Sequence, residues 1–174
     1  MGKTLVGGEI DVKDDRWRVA VHEAGHVAVM RRHGIGFRFA SAYNEPVKHD
    51  DGVTYGYVSV GDENRWYQND GALLFDVSAA GIAAERMFGV LSDRMSTNDM
   101  VSMMAATEKM GAPGSTDLMV KRAERLASEM MSMLDEILVI AAGLYVHTVL
   151  TYDDVCELLA SHGITVNEVT ACVK

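Results

Sequence analysis

The stretch from Asp14 to Gly34 constrains this chain most, because the sequence marks it out as one helix from end to end. Asp14 or Asp15 supplies an N-cap, and Val19, His22, His26 and Val29 or Met30 recur at helical spacing. Arg31-Arg32-His33 places cations at the C-terminus, and Gly34 suits the left-handed residue that follows. The segment is roughly five turns long. Ala20, Ala24, Gly25 and Ala28 make one side of it small. A mid-helix glycine costs roughly 1 kcal/mol against alanine, so Gly25 predicts close approach by another element.

Midway along this helix stands His22-Glu23-Ala24-Gly25-His26. Residues four apart share a helix face, so His22 and His26 are placed to hold one small cation together. Glu23 is offset around the helix, where it reaches a water on the metal rather than the metal itself. This is the HExxH arrangement of zinc peptidases, two ligands plus a general base.

The rest of the composition narrows the setting. With 174 residues the chain is expected to form a single domain, 1–174, with a real core. Hydrophobic content of 48% and charged content of 24% are ordinary for a globular protein. A net charge of −9 argues against nucleic acid and anionic membrane surfaces as partners. Cys156 and Cys172 have no metal-type spacing and read as reduced thiols of a cytoplasmic chain. Met1 to Lys13 lacks the apolar centre of a signal peptide. The longest apolar run, Ile137 to Val149, is too short to span a membrane and contains His147, so no membrane span is expected. Gly2-Lys3-Thr4 resembles the tail of a phosphate-binding loop without its upstream glycine and strand, and ATP binding is not expected.

After the first helix, Phe37 to Tyr43 and Gly52 to Val60 are rich in aromatic and β-branched residues, the second with a period of two. Asn44 to Asp51, with Pro46, Asp50 and Asp51, carries turn chemistry between them. Two or three antiparallel strands are predicted, then a loop or short turn over Asp62 to Asp70. From Gly71 the chain reads as helical. One helix is closed by Gly89, and another is opened by Ser96-Thr97-Asn98-Asp99 and stopped by Gly111, Pro113 and Gly114. A long helical stretch follows from Ser115 or Thr116 to Leu150, with a break near Leu134 to Glu136. Thr151 caps a short helix ending near Gly163, and the tail 164–174 is unassigned. The fold class is mainly α with a small antiparallel sheet (α+β), the HExxH helix packed against a helical bundle. The methionines between Met87 and Met133 read as core filler, with a helical subunit interface as the second reading.

A catalytic zinc takes three protein ligands and keeps one position open. His33 is wrongly spaced for a ligand, and His49, His147 and His162 are scattered without partners. Carboxylates are better candidates. Glu85 ends the small-residue face Gly81-Ile82-Ala83-Ala84-Glu85, and Asp99 stands in the first turn of its helix. Residue chemistry alone does not rank the two.

The order His-Glu-Ala-Gly-His, then Gly-x-x-Ala-Glu, then Asn-Asp-Met with Ala-Thr downstream, resembles the peptidase domain of the FtsH family. Those are membrane-anchored, ATP-dependent zinc metalloproteases. The resemblance covers roughly Val19 to Val155. It implies that His22 and His26 are zinc ligands, Glu23 the catalytic base and Asp99 the third ligand. Glu85 matches the glutamate of the Gly-x-x-Ala-Glu element and reads as support for the ligands. Val53 to Val60 corresponds to the strand beside the cleft, whose free edge would take an extended peptide by strand addition. The implied cofactor is one Zn2+ per chain. Within these residues there is no ATPase module, so unfolding of folded substrates would fall to a separate ATPase partner. FtsH peptidase domains form hexameric rings to which the ATPase portion contributes, so a homo-oligomer is one reading and the separate protomer is open to monomer, dimer or hexamer.

The expected activity is therefore zinc-dependent endopeptidase cleavage of flexible or unfolded polypeptide. Two alternatives stand beside it. One is a peptidase-like binding or regulatory protein that docks on a protease complex without catalysis. The other is a non-proteolytic metal-dependent hydrolase using the same site.

Overall fold

The computed structural model describes residues 11–49, 52–90 and 96–165. Helix α1 (Asp15–Arg32) runs through the centre. It is buried on almost every side, with Ala20, Val21, Ala24, Val27 and Ala28 fully enclosed. Asp14 is its N-cap, its side chain accepting from the Arg16 N–H, and Gly34 follows the C-cap at φ 69°. Both ends thus fall where the sequence places them.

Strands β1 (Phe39–His49) and β2 (Gly52–Ser59) pair antiparallel, and β3 (Val149–Thr151) pairs with the other side of β1. The spatial order is β2-β1-β3. The turn expected over Asn44 to Asp51 is instead largely strand. β1 continues to His49 through an irregularity between Ala42 and Val47. Pro46 lies inside it, where a missing N–H breaks no ladder bond. Residues 50 and 51 fall outside the described residues. Ala40 and Ala42 face α1 with no exposed surface, and Phe39, Tyr43 and Tyr57 cluster on the opposite face.

The loop or short turn expected over Asp62 to Asp70 is a 3-10 segment, Asp62–Asn69, which leads into α2 (Gly71–Met87), capped by Asp70. Ser96 caps α3 (Thr97–Lys109), and Ser115 caps α4 (Thr116–Met130). The helical path breaks at Met131–Met133, slightly before the expected Leu134 to Glu136, and resumes as α5 (Leu134–His147). It stops there rather than at Leu150. Thr148, at φ 70°, turns the chain so that its carbonyl accepts from the Ala42 N–H, and β3 follows. β3 went unforeseen because three residues carry no periodicity. Thr151 then forms a reciprocal capping box with Asp154 at the start of α6 (Tyr152–Ser161).

Helices α2 and α5 flank α1, while α4 lies against α2. The α4–α5 stretch, Thr116–His147, is long and apolar enough by length and composition to cross a membrane. Half of its apolar window is buried inside the protein, with Ile137, Ile140 and Leu144 fully enclosed. Met30, Met103, Met130 and Met133 fill core gaps, whereas Met104 and Met131 are exposed. Gly25 meets the close approach its cost predicts: a Cβ there would lie 2.5 Å from the Ala80 carbonyl oxygen and 2.7 Å from the Ala84 Cβ. That contact sets α1 and α2 backbone to backbone at the level of the histidines.

Candidate metal centre

Three elements supply the centre: α1 brings His22, Glu23 and His26, the first turn of α3 brings Asp99, and α2 brings Glu85. Among the described residues, one grouping is able to hold a metal, His22, His26 and Asp99, with ligand atoms all within 4.8 Å of one another. His22 Nε2 is 3.1 Å from His26 Nε2 and 3.0 Å from Asp99 Oδ2, and His26 Nε2 is 3.6 Å from the same oxygen. Zinc bonds of about 2.0–2.1 Å in tetrahedral geometry would separate donors by about 3.3 Å. The three spacings straddle that value. The donor set also suits zinc chemically, with two imidazoles and a carboxylate leaving a fourth direction free.

The outer hydrogen bonds explain why both Nε2 atoms face inward. His26 Nδ1 donates to the Val77 carbonyl at 2.7 Å, which the close α1–α2 approach makes reachable. His22 Nδ1 donates to Glu85 Oε1 at 2.9 Å. These bonds account for the Nδ1 protons and turn each Nε2 towards Asp99. A neutral ring in this tautomer offers its Nε2 lone pair there, and a protonated one donates to Asp99 instead.

Charge behaves accordingly. Burial disfavours the charged form of His22, but the hydrogen bonds it donates to Asp99 and Glu85 overcome it and push its pKa up to about 10. His26 is raised too, burial being outweighed by the Asp99 charge. Burial likewise works against the Asp99 anion, yet His26 and His22 hold its carboxyl well below the usual carboxylate range. A metal ion would compete with these protons for the same lone pairs.

Glu23 is 6% exposed. Burial pushes its carboxyl above the ordinary value, against the pull of the two imidazoles. The upward shift makes the carboxylate a stronger proton acceptor. Gly56 of β2 lets it sit there, since a Cβ at 56 would lie 2.9 Å from Glu23 Cγ.

His22, Glu23, His26 and Asp99 open onto one cleft of about 240 Å³. Its walls are Thr54, Gly56, Tyr57 and Val58 of β2 on one side and Met30, Tyr67, Leu74 and Val77 on the other. β2 is an edge strand among the described residues.

The structure therefore brings together every residue singled out from the sequence: His22, His26, Glu23, Asp99 and, behind His22, Glu85. The other histidines stay out. His33 is the C-cap of α1, His147 ends α5, His162 follows α6, and the His49 side chain is outside the described set. Cys156 is half-buried against Arg31 and is not part of the grouping, and Cys172 lies outside the described residues. Sequence reasoning missed Arg18, whose Nη1 donates to Glu85 Oε1 at 3.1 Å. Its signal was available, four residues before His22 on the same face. It also missed Gly81, against which the His22 ring packs so closely that a Cβ would overlap it.

No protein-family model matches this chain, and no curated protein matches it.

Proposed function

We propose that this chain is a zinc-dependent metalloendopeptidase, resembling the FtsH peptidase domain, that cleaves flexible or unfolded polypeptide. One observation carries the reading: two imidazole Nε2 atoms and the Asp99 carboxylate converge at tetrahedral-edge spacings, each imidazole held by a bond at its far nitrogen. His22, His26 and Asp99 would hold the ion. When bound, zinc supplies Lewis-acid chemistry, lowering the pKa of a water towards neutrality and polarising a carbonyl. Glu23 takes the proton from the attacking water as its oxygen bonds to the scissile carbonyl carbon. It then delivers that proton to the amine nitrogen as the C–N bond breaks, leaving a carboxylic acid and an amine. The acid's proton passes to the amine to give carboxylate and ammonium. The raised Glu23 pKa favours the first of these transfers, acceptance of the water proton.

Shape supports a peptide as substrate. The cleft runs along β2, which is an edge strand among the described residues and would take an extended chain by strand addition. A folded domain has no loose strand to offer, so substrates would be flexible segments or chains unfolded by a separate ATPase partner.

The test is hydrolysis of an unfolded protein such as casein, with and without a chelator, by wild type and Glu23→Gln. Chelator-sensitive cleavage lost in the variant is the expected result. Peptide cleavage that survives both would refute the mechanism.

A further inference from the structure

We propose that Arg18 is a positioning residue for the metal centre: it fixes the Glu85 carboxylate that in turn fixes His22, forming an Arg18–Glu85–His22 chain. The inference rests on the zinc reading above. Arg18 and His22 are four apart on α1, so both point from one face towards α2. There they meet the same atom, with Arg18 Nη1 3.1 Å and His22 Nδ1 2.9 Å from Glu85 Oε1.

The burial gradient along this chain is informative. The Glu85 side chain is 5% exposed, His22 12%, and Arg18 23%. A buried carboxylate needs a cation or several donors to stay ionised and in one rotamer. Arg18 supplies a cation from the half-exposed rim, while the imidazole takes the inner side. The guanidinium is held in a fixed plane and always charged, so it sets direction as well as charge. Partners behind a metal-bound histidine orient the ring and tune its donor strength.

A purely structural role, tying α1 to α2, is the competing account. These helices already meet backbone to backbone at Gly25, Ala80 and Ala84. The ion pair is surplus to that join but sits directly behind a ligand.

Zinc dissociation constants, measured on the whole chain by competition with a chromophoric chelator, test the proposal alongside melting of the metal-free protein. Arg18→Met is expected to weaken zinc by about 10-fold to 100-fold, with a metal-free melting temperature close to wild type. Arg18→Lys, which keeps a cation without the planar fork, is expected to fall between. In a Glu85→Gln background, Arg18→Met should change the constant less than about 2-fold, because the link is already cut. Unchanged zinc affinity in Arg18→Met, with or without a lowered melting temperature, overturns the proposal and leaves the zinc reading standing. Equal losses in the wild-type and Glu85→Gln backgrounds overturn it as well. A wild-type chain that binds no zinc overturns the zinc reading itself, and this inference with it.

Discussion

Gly81→Ala probes the centre through packing alone. An alanine Cβ at 81 would lie 2.5 Å from His22 Cε1 and 2.6 Å from Cδ2. Carbon atoms rest about 3.5–4.0 Å apart, so the ring or α2 must retreat by about 1 Å. Metal–ligand distances tolerate about 0.2 Å, and the His22–Glu85 bond at 2.9 Å would stretch with the same movement. The expected result is a loss of zinc affinity on the order of 100-fold, with peptidase activity falling in parallel. The metal-free fold should suffer little. Gly→Ala in a helix interior recovers roughly 1 kcal/mol of propensity, which offsets much of the strain. Chelator-competition titration reads the first effect and melting of the metal-free protein the second. Wild-type zinc affinity in a folded Gly81→Ala variant would refute the placement of His22 against α2, and with it the geometry argued for the centre.

Three further outcomes are expected. Glu23→Gln should bind zinc within a few-fold of wild type while turnover falls by about 100-fold or more; equal turnover would remove Glu23 from the chemistry. On the proposed reading Asp99→Ala deletes a ligand, whereas Glu85→Ala deletes only the support of His22. Metal analysis should therefore show the larger loss in Asp99→Ala, and the reverse order would exchange their roles. Zinc affinity should climb with pH through the neutral range, because His22 and His26 start with raised pKa values and must shed protons to bind. Calorimetry in buffers of different ionisation enthalpy should find at least about one proton released per zinc at pH 7. A pH-independent affinity would contradict this. In the metal-free protein the sign is opposite: the raised His22 contributes stability below about 6.5 and loses it as pH rises through about 10.

Much of this was readable from residues in order, for identifiable reasons. α1 was legible at both ends because Asp14 and Gly34 do separate jobs there, one accepting from a free N–H and the other adopting a positive φ. His22 and His26 were legible because spacing along a helix fixes facing. Asp99 and Glu85 were harder. Both are ordinary helix acids locally, and only the packing of α3 and α2 against α1 distinguishes their places. Resemblance to a family ranked them; in the fold Asp99 lies beside both imidazoles and Glu85 behind His22. β1 beyond Tyr43 was obscured because Pro46 and its neighbours signal a turn equally well as a strand irregularity. β3 was invisible because its three residues gain their bonds from β1, more than a hundred positions away. Arg18 had a spacing signal, four residues before His22, but its partner Glu85 needed the third dimension, as did Gly81, which packs on the His22 ring across the helix contact.

X-ray absorption at the zinc edge, on the wild-type chain loaded to one equivalent, tests the central claim most directly. Two imidazoles and one carboxylate oxygen should appear at about 2.0–2.1 Å, with one further light atom from solvent and no sulfur. In Asp99→Ala the same spectrum should lose its carboxylate contribution. A zinc shell containing sulfur, a single imidazole, or no stoichiometric zinc at all would contradict the account.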